Sequence, residues 1–283
     1  MTRKARVTLA IVLLPLVVPF PAAAESLFPL RLHSPAVPPR GAHLFRIGLE
    51  YNEGEPLFFQ DADADRKACS LPEFDAVLGI ASDMELELRY PLLYLNQNGQ
   101  DWEYGSGDFR IGWVYRLFRE KGWIPETGIR IAVKLPNAGS SNGFGTNETD
   151  FYAGGLFAKR AGATTFLFNA ELGILGNPNS SEPTQDDVLV YGAGVVYSFS
   201  RSANAGFGVD GVGFSRYGND RLFVRAGASR VFGRVILDAG FAVGLTEDSG
   251  NYQVIAGISI PFGKGWKDAT PLSPESRLLF PVR

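Results

Sequence analysis

The sequence predicts an all-β protein: a closed antiparallel transmembrane β-barrel of about 12 strands, of the outer-membrane type. Three observations carry this expectation. Segments of strand length alternate apolar and polar residues, the loops between them alternate long and short, and the N-terminus is built like an export signal. A mean hydropathy of zero, 20% charged and 12% aromatic residues exclude both a disordered acidic chain and a bundle of transmembrane helices.

The chain opens with Arg3, Lys4 and Arg6, then the apolar run Val7 to Val18, then PFPAAAES with Ala22 and Ala24 in a small-residue cleavage pattern. That order describes a secretory signal peptide over 1–24. The apolar run is shorter than the roughly twenty residues a spanning helix needs. Its removal takes the formal net charge from −3 to −6, because three cations leave. Residues 25–42 carry Pro29, Pro35, Pro38 and Pro39 and form a Pro-rich segment, read as either a linker or a plug folded into the lumen. The barrel is expected over 43–262 and a periplasmic tail over 263–283.

Twelve strands are expected, at 43–51, 73–81, 83–95, 107–118, 127–135, 149–159, 164–175, 187–199, 202–213, 221–231, 234–245 and 252–262. In GDFRIGWVYRLF, Phe109, Ile111, Trp113, Tyr115 and Leu117 alternate with Asp108, Arg110, Gly112, Val114 and Arg116. A strand shows successive side chains to opposite faces, so one wall is apolar and the other polar. Met84, Leu86, Leu88 and Tyr90 oppose Glu85, Glu87 and Arg89 in the same way, and Ile129, Ile131, Val133 and Leu135 oppose Arg130 and Lys134.

A soluble sandwich shares this alternation. The export signal, the alternating loop lengths and the last strand, YQVIAGISIPF, weigh against it. That strand places Tyr252, Val254, Ala256, Ile258, Ile260 and Phe262 on one face and ends in an aromatic, like the closing strand of bacterial barrels, although 21 residues follow it. The apolar wall is therefore expected to face lipid and the polar wall a narrow lumen. Gly112, Gly192, Gly194, Gly206, Gly208, Gly240 and Gly244 fall on the lumen wall, where small residues let strands curve.

The expected lumen-lining residues are Glu85, Glu87, Arg89, Asp108, Arg110, Arg116, Arg130, Lys134, Glu171, Asp210, Arg225 and Asp238. In-register pairing would set Glu85 near Arg116, Arg116 near Arg130, and Arg89 near Arg110. Two readings stay open. The charges pair across the lumen and brace it, or the excess Arg and Lys forms an anion-attracting constriction.

From Gly107 to Pro178, about a quarter of the chain, the sequence resembles the outer-membrane proteins named for a MetA pathway of phenol degradation. The matching residues are Gly107 and Asp108 at the head of a strand, Lys134, Leu135 and Pro136 at the end of another, Gly145 and Thr146 in a loop, and Asp150 leading the next strand. The resemblance implies a transporter-like barrel linked to uptake of small aromatic or hydrophobic compounds. The expected function is a passive channel or transporter for small solutes. A structural or surface-interaction barrel is the alternative, and a lipid-modifying barrel enzyme comes third.

Other chemistry finds little support. The histidines are His33 and His43, and no serine adjoins His43 in sequence, so no catalytic residue is expected. Asp61, Asp63 and Asp65 alternate as in a calcium loop, but Arg66 stands where glycine is needed and Pro72 where glutamate is needed. Cys69 is expected in a loop and cannot form an internal disulfide. No metal and no cofactor are expected. The expected partners are outer-membrane lipid, the barrel-assembly machinery and a small-molecule solute. The acidic balance argues against nucleic acid.

Overall fold

The computed structural model describes residues 30–54, 66–138, 143–178, 184–200, 202–216 and 220–264. The expected signal peptide, nearly all of the expected tail, and Asp61, Asp63 and Asp65 lie outside these residues.

Thirteen strand segments form one sheet: β1 His43–Glu53, β2 Arg66–Ala81, β3 Met84–Gln97, β4 Glu103–Ser106, β5 Phe109–Phe118, β6 Glu126–Leu135, β7 Asp150–Ala161, β8 Thr164–Gly176, β9 Gln185–Ser200, β10 Ala203–Gly213, β11 Arg221–Phe232, β12 Val235–Gly244 and β13 Tyr252–Phe262. Each segment is antiparallel to its neighbours, and β1 pairs with both β2 and β13, which closes the sheet. The closing seam runs without a slip from His43 opposite Phe262 to Glu53 opposite Tyr252. Closure pairs each stave on both sides except along the short β4, which meets β3 alone, and this satisfies the condition for a sheet in hydrocarbon over the span of the barrel.

The barrel has twelve staves, because β4 and β5 are two parts of one. Both pair with β3, and the ladder breaks between them at Gly107–Asp108. There the Gly107 N–H still donates to the Pro91 carbonyl at 2.9 Å. The sequence pattern puts 96–106 in a loop; in the structure β3 runs on to Gln97 and Glu103–Ser106 form β4. The pattern also starts the second strand at 73 and leaves Cys69 in a loop. In the structure β2 starts at Arg66 and Cys69 lies within it. The register slips between Ser70 and Glu73, so the alternation reads as broken there although the strand runs on.

Tight turns join β2 to β3, β7 to β8, β9 to β10 and β11 to β12, and longer connections lie at the other end. The outward wall carries the large apolar side chains. Phe166, Phe168, Leu172 and Ile258 are each about half exposed, while Leu167, Asn169, Glu171 and Ser259 between or beside them are buried. Exposed apolar outside and buried charge inside is the arrangement of a protein solvated by lipid. Rings of exposed aromatics mark both ends: Trp123, Phe199 and Phe232 at the short-turn end, and Trp102, Tyr104 and Phe214 at the long-loop end.

Candidate functional site

The inner wall has three levels. Near the short turns it is apolar, lined by Leu44, Val77, Val114, Leu156, Leu167 and Val196, all buried. At mid-height it is ionic. Towards the long loops it is closed in part by the loops themselves.

The ionic belt is closely paired. Arg46 of β1 donates through Nε and Nη2 to the two oxygens of Asp238 at 3.1 and 2.8 Å, and through Nη1 to Asp75 at 3.0 Å. Arg89 donates to the other Asp75 oxygen at 2.7 Å. Across the lumen, Arg130 joins Glu87 and Glu171, both at 2.9 Å. Arg225 joins Asp210, and also donates to Gln253 at 2.6 Å. Bidentate guanidinium–carboxylate pairs offset the desolvation that burying single charges would cost.

Residues 30–42 form a strap across the apolar level. Leu30 and Leu32 pack with Ala158, Leu167 and Val196, and Val37 packs with Val114 and Leu156. Gly192, Gly194 and Gly208 make the seat for Leu32, whose side chain occupies the space where Cβ atoms would project. His33 is clamped by Asn169, which accepts its N–H at 2.7 Å and donates to its carbonyl at 2.8 Å. The His33 Nδ1 lies 3.1 Å from Glu87, and Arg31 pairs with Glu50. At its end the strap joins the wall, where the Gly41 N–H donates to Gly79 and the Gly79 N–H to Ala42. Burying Leu30, Leu32 and Val37 stabilises this arrangement by roughly 1.5–3 kcal/mol each.

At the long-loop end, the residues that carried the family resemblance form one knot. Asp108, in the break between β4 and β5, accepts the Ala138 N–H at 3.1 Å and the Thr146 N–H at 3.4 Å. Lys134 lies 2.8 Å from Asp150 and 3.6 Å from Asp108, and donates to the Thr146 hydroxyl at 2.5 Å. Gly145 packs so closely on Asp108 and Ala138 that a side chain would not fit. The knot holds Phe144 against Ala68, Leu95 and Ala138, covering part of the mouth.

The expected lumen residues therefore divide. Glu87, Arg89, Arg130, Glu171, Asp210, Arg225 and Asp238 belong to the ionic belt, and Lys134 and Asp108 to the knot. Arg116 pairs with Asp83 and Glu126 at the short-turn rim, at 2.7 and 3.2 Å, and not with the neighbours expected. The register sets Glu85 opposite Val114 and Val114 opposite Arg130, while Arg89 does face Arg110. Glu85 is fully buried, and neither carboxylate oxygen has a hydrogen-bond partner among the described residues. Arg110 is exposed, shares its row with buried Lys134, and makes no ion pair among the described residues. Arg46, Glu50, Glu73, Asp75, Asn169, Gln253 and His33 were not anticipated. Arg46 and Glu50 alternate with Phe45, Ile47 and Leu49, a signal of the kind that exposed the other strands. His43 lies at the seam, its ring 5.2 Å from that of Phe262. Cys69 faces the opposite wall from buried Ala68 and Ser70.

No family profile matches the chain, and no curated protein is similar to it. Among solved structures it is similar to the COG4313 outer membrane channel from Pseudomonas putida F1, at 14% identity and a TM-score of 0.62, over 79% of this chain and 96% of that one. The chain has the fold of an outer-membrane channel barrel. Weaker likenesses include the NanC porin, at 10% identity and TM-score 0.49 over 78% of this chain and 99% of that one, and the CymD monoaromatic hydrocarbon channel, at 11% identity and TM-score 0.45 over 80% and 89%.

Proposed function

We propose that the protein resides in the outer membrane and acts as a passive channel for small aromatic or hydrophobic solutes, with the strap closing its inner end. The observation that carries this reading is Arg110. An exposed guanidinium on the inner wall, level with a buried lysine, requires water inside the long-loop half of the barrel. Below it lies the ionic belt, and beneath the belt the strap covers the apolar level. The resemblance of the Gly107–Pro178 stretch to the MetA-pathway barrels agrees with that solute class.

A second reading has its own observation. Arg46 and Arg130 are each held by carboxylates from two different staves, and Arg225 by Asp210 of the neighbouring stave, which is how a braced, non-transporting barrel would also be built. Planar-bilayer recording and liposome swelling separate the two. The channel reading expects permeation of small aromatic acids, and a shift of ion selectivity toward cations in Arg110→Ala. A barrel that excludes these solutes and whose selectivity ignores Arg110 is structural.

A further inference from the structure

Glu85 has no role in the ionic belt, and its surroundings are those of a ligand to something else. Its side chain is completely buried and both oxygens lack a hydrogen-bond partner among the described residues. An ionised carboxylate in that position is costly unless a positive partner reaches it. The charged groups within electrostatic range are Glu87, Arg130 and Arg116. Both guanidiniums are committed elsewhere, Arg130 to Glu87 and Glu171, and Arg116 to Asp83 and Glu126.

The strap beside Gly79, the ladder partner of Glu85, presents several acceptors. Pro35, Pro38 and Pro39 have no N–H. The Ala36, Gly41 and Ala42 N–H groups are used by Ser34, Gly79 and Pro39. The residue across the ladder from Glu85 is Gly79, on the same face. Where a Gly79 side chain would stand, the carbonyl oxygens of Pro38, Pro39 and Ala42 converge. Two of those oxygens each accept one N–H and retain a second lone pair. The three carbonyl oxygens thus converge beside the ladder partner of the buried Glu85.

The local charge points the same way. Glu85, Glu87, Glu171, Asp83 and Glu126 are five carboxylates against the four guanidiniums of Arg116, Arg119, Arg130 and Arg160, the last acting on Glu126, which leaves one negative charge when His33 is neutral. We propose that Glu85 and the carbonyls of Pro38, Pro39 and Ala42 form a cation site, suited to calcium, that latches the strap to the β2–β3 wall. Calcium accepts about 6–8 oxygens from carboxylates, backbone carbonyls and water in flexible geometry. Magnesium holds most of its water and fits this set less well. The bound ion would neutralise Glu85 and tie wall and strap together, so strap release and ion release are coupled.

The test uses full-length protein, refolded in detergent free of lipopolysaccharide and stripped with chelator. Calorimetric calcium titration should show one site, weakened about tenfold or more in Glu85→Gln, as loss of a charged ligand predicts. A variant with Asp61, Asp63 and Asp65 changed to Asn should keep that site, which separates it from the acidic loop. In a Cys69→Ser background, a cysteine introduced at Ala36 reports strap release through its thiol-labelling rate. Calcium should slow labelling when Glu85 is present and leave the rate unchanged in Glu85→Gln. Heat-modifiable gel mobility verifies that the variants fold; where Glu85→Gln does not, Glu85→Asp, with a shorter reach, should still weaken binding. Calcium binding equal in wild type and the Glu85 variant, labelling indifferent to calcium, or a response to sodium alone would each overturn the proposal. None of these readouts requires solute transport, so a failed channel reading leaves the latch to stand or fall alone.

Discussion

Arg46 shows how single side chains set the interior. It is nearly inaccessible and joins β1 to Asp75 on β2 and, past β13, to Asp238 on β12, so it clips together four staves around the closing seam. Removing it leaves Asp238 buried with no guanidinium, whereas Asp75 keeps Arg89. Arg46→Ala should therefore cost about 3–5 kcal/mol in urea unfolding from detergent, the range for a broken buried pair. Adding Asp238→Asn to that variant should recover part of the loss. Arg110→Ala removes no pair and should alter stability by about 0.5 kcal/mol or less. Equal losses for the two would mean that the belt contributes no more than ordinary packing. The two arginines look alike in sequence, since each alternates with apolar neighbours. Which of them is clamped depends on carboxylates from strands far away in the chain, and no local pattern carries that information.

At the scale of elements, the strands were legible and the strap was not. Alternation located each stave because lipid and lumen impose opposite demands on successive residues. It failed at Ser70–Glu73 and Gly107–Asp108, where the register slips and the period breaks while the stave continues. The strap has no period to read. Leu30, Leu32 and Val37 look like residues of an apolar linker, and the seat of Leu32 is made by Gly192, Gly194 and Gly208, some 160 residues later. Those glycines were legible as small lumen residues, but not as a place for Leu32. The knot is the converse case. Asp108, Lys134, Thr146 and Asp150 were visible as a family-like motif, and the structure gives them a mechanical task, holding a loop over the mouth. If the strap closes the inner end, Leu32→Asp should open it. An unpaired charge among Leu30, Ala158, Leu167 and Val196 costs several kcal/mol and forfeits the burial of Leu32, which works against what Leu30 and Val37 still gain. The expected result is a larger single-channel conductance with unchanged heat-modifiable mobility, while Leu32→Met behaves as wild type. Unchanged conductance in Leu32→Asp would show that the strap does not limit flow.

For the molecule as a whole, the decisive property is which solvent each wall meets. The sandwich alternative required Ile111, Trp113 and Tyr115 to be buried between two sheets. Instead they lie on the outside of a closed barrel, with Tyr115 about half exposed, while Val114 and Gly112 between them are buried. The exterior therefore depends on hydrocarbon to the degree that a soluble protein depends on its core, and a substitution there should register only when a bilayer is present. Ile131 is a suitable probe because it lies mid-way along β6, is 40% exposed, and has buried Ala132 beside it on the other wall. Ile131→Arg should lower the stability of the barrel in phospholipid vesicles by about 2–4 kcal/mol, the cost of a guanidinium near the bilayer midplane. In detergent micelles, where the side chain reaches water within its own length, the same change should have a much smaller effect. Urea titration of both forms in both media gives the comparison. A loss of equal size in micelles and vesicles would place Ile131 against protein and not against lipid, and the assignment of the walls would fail with it.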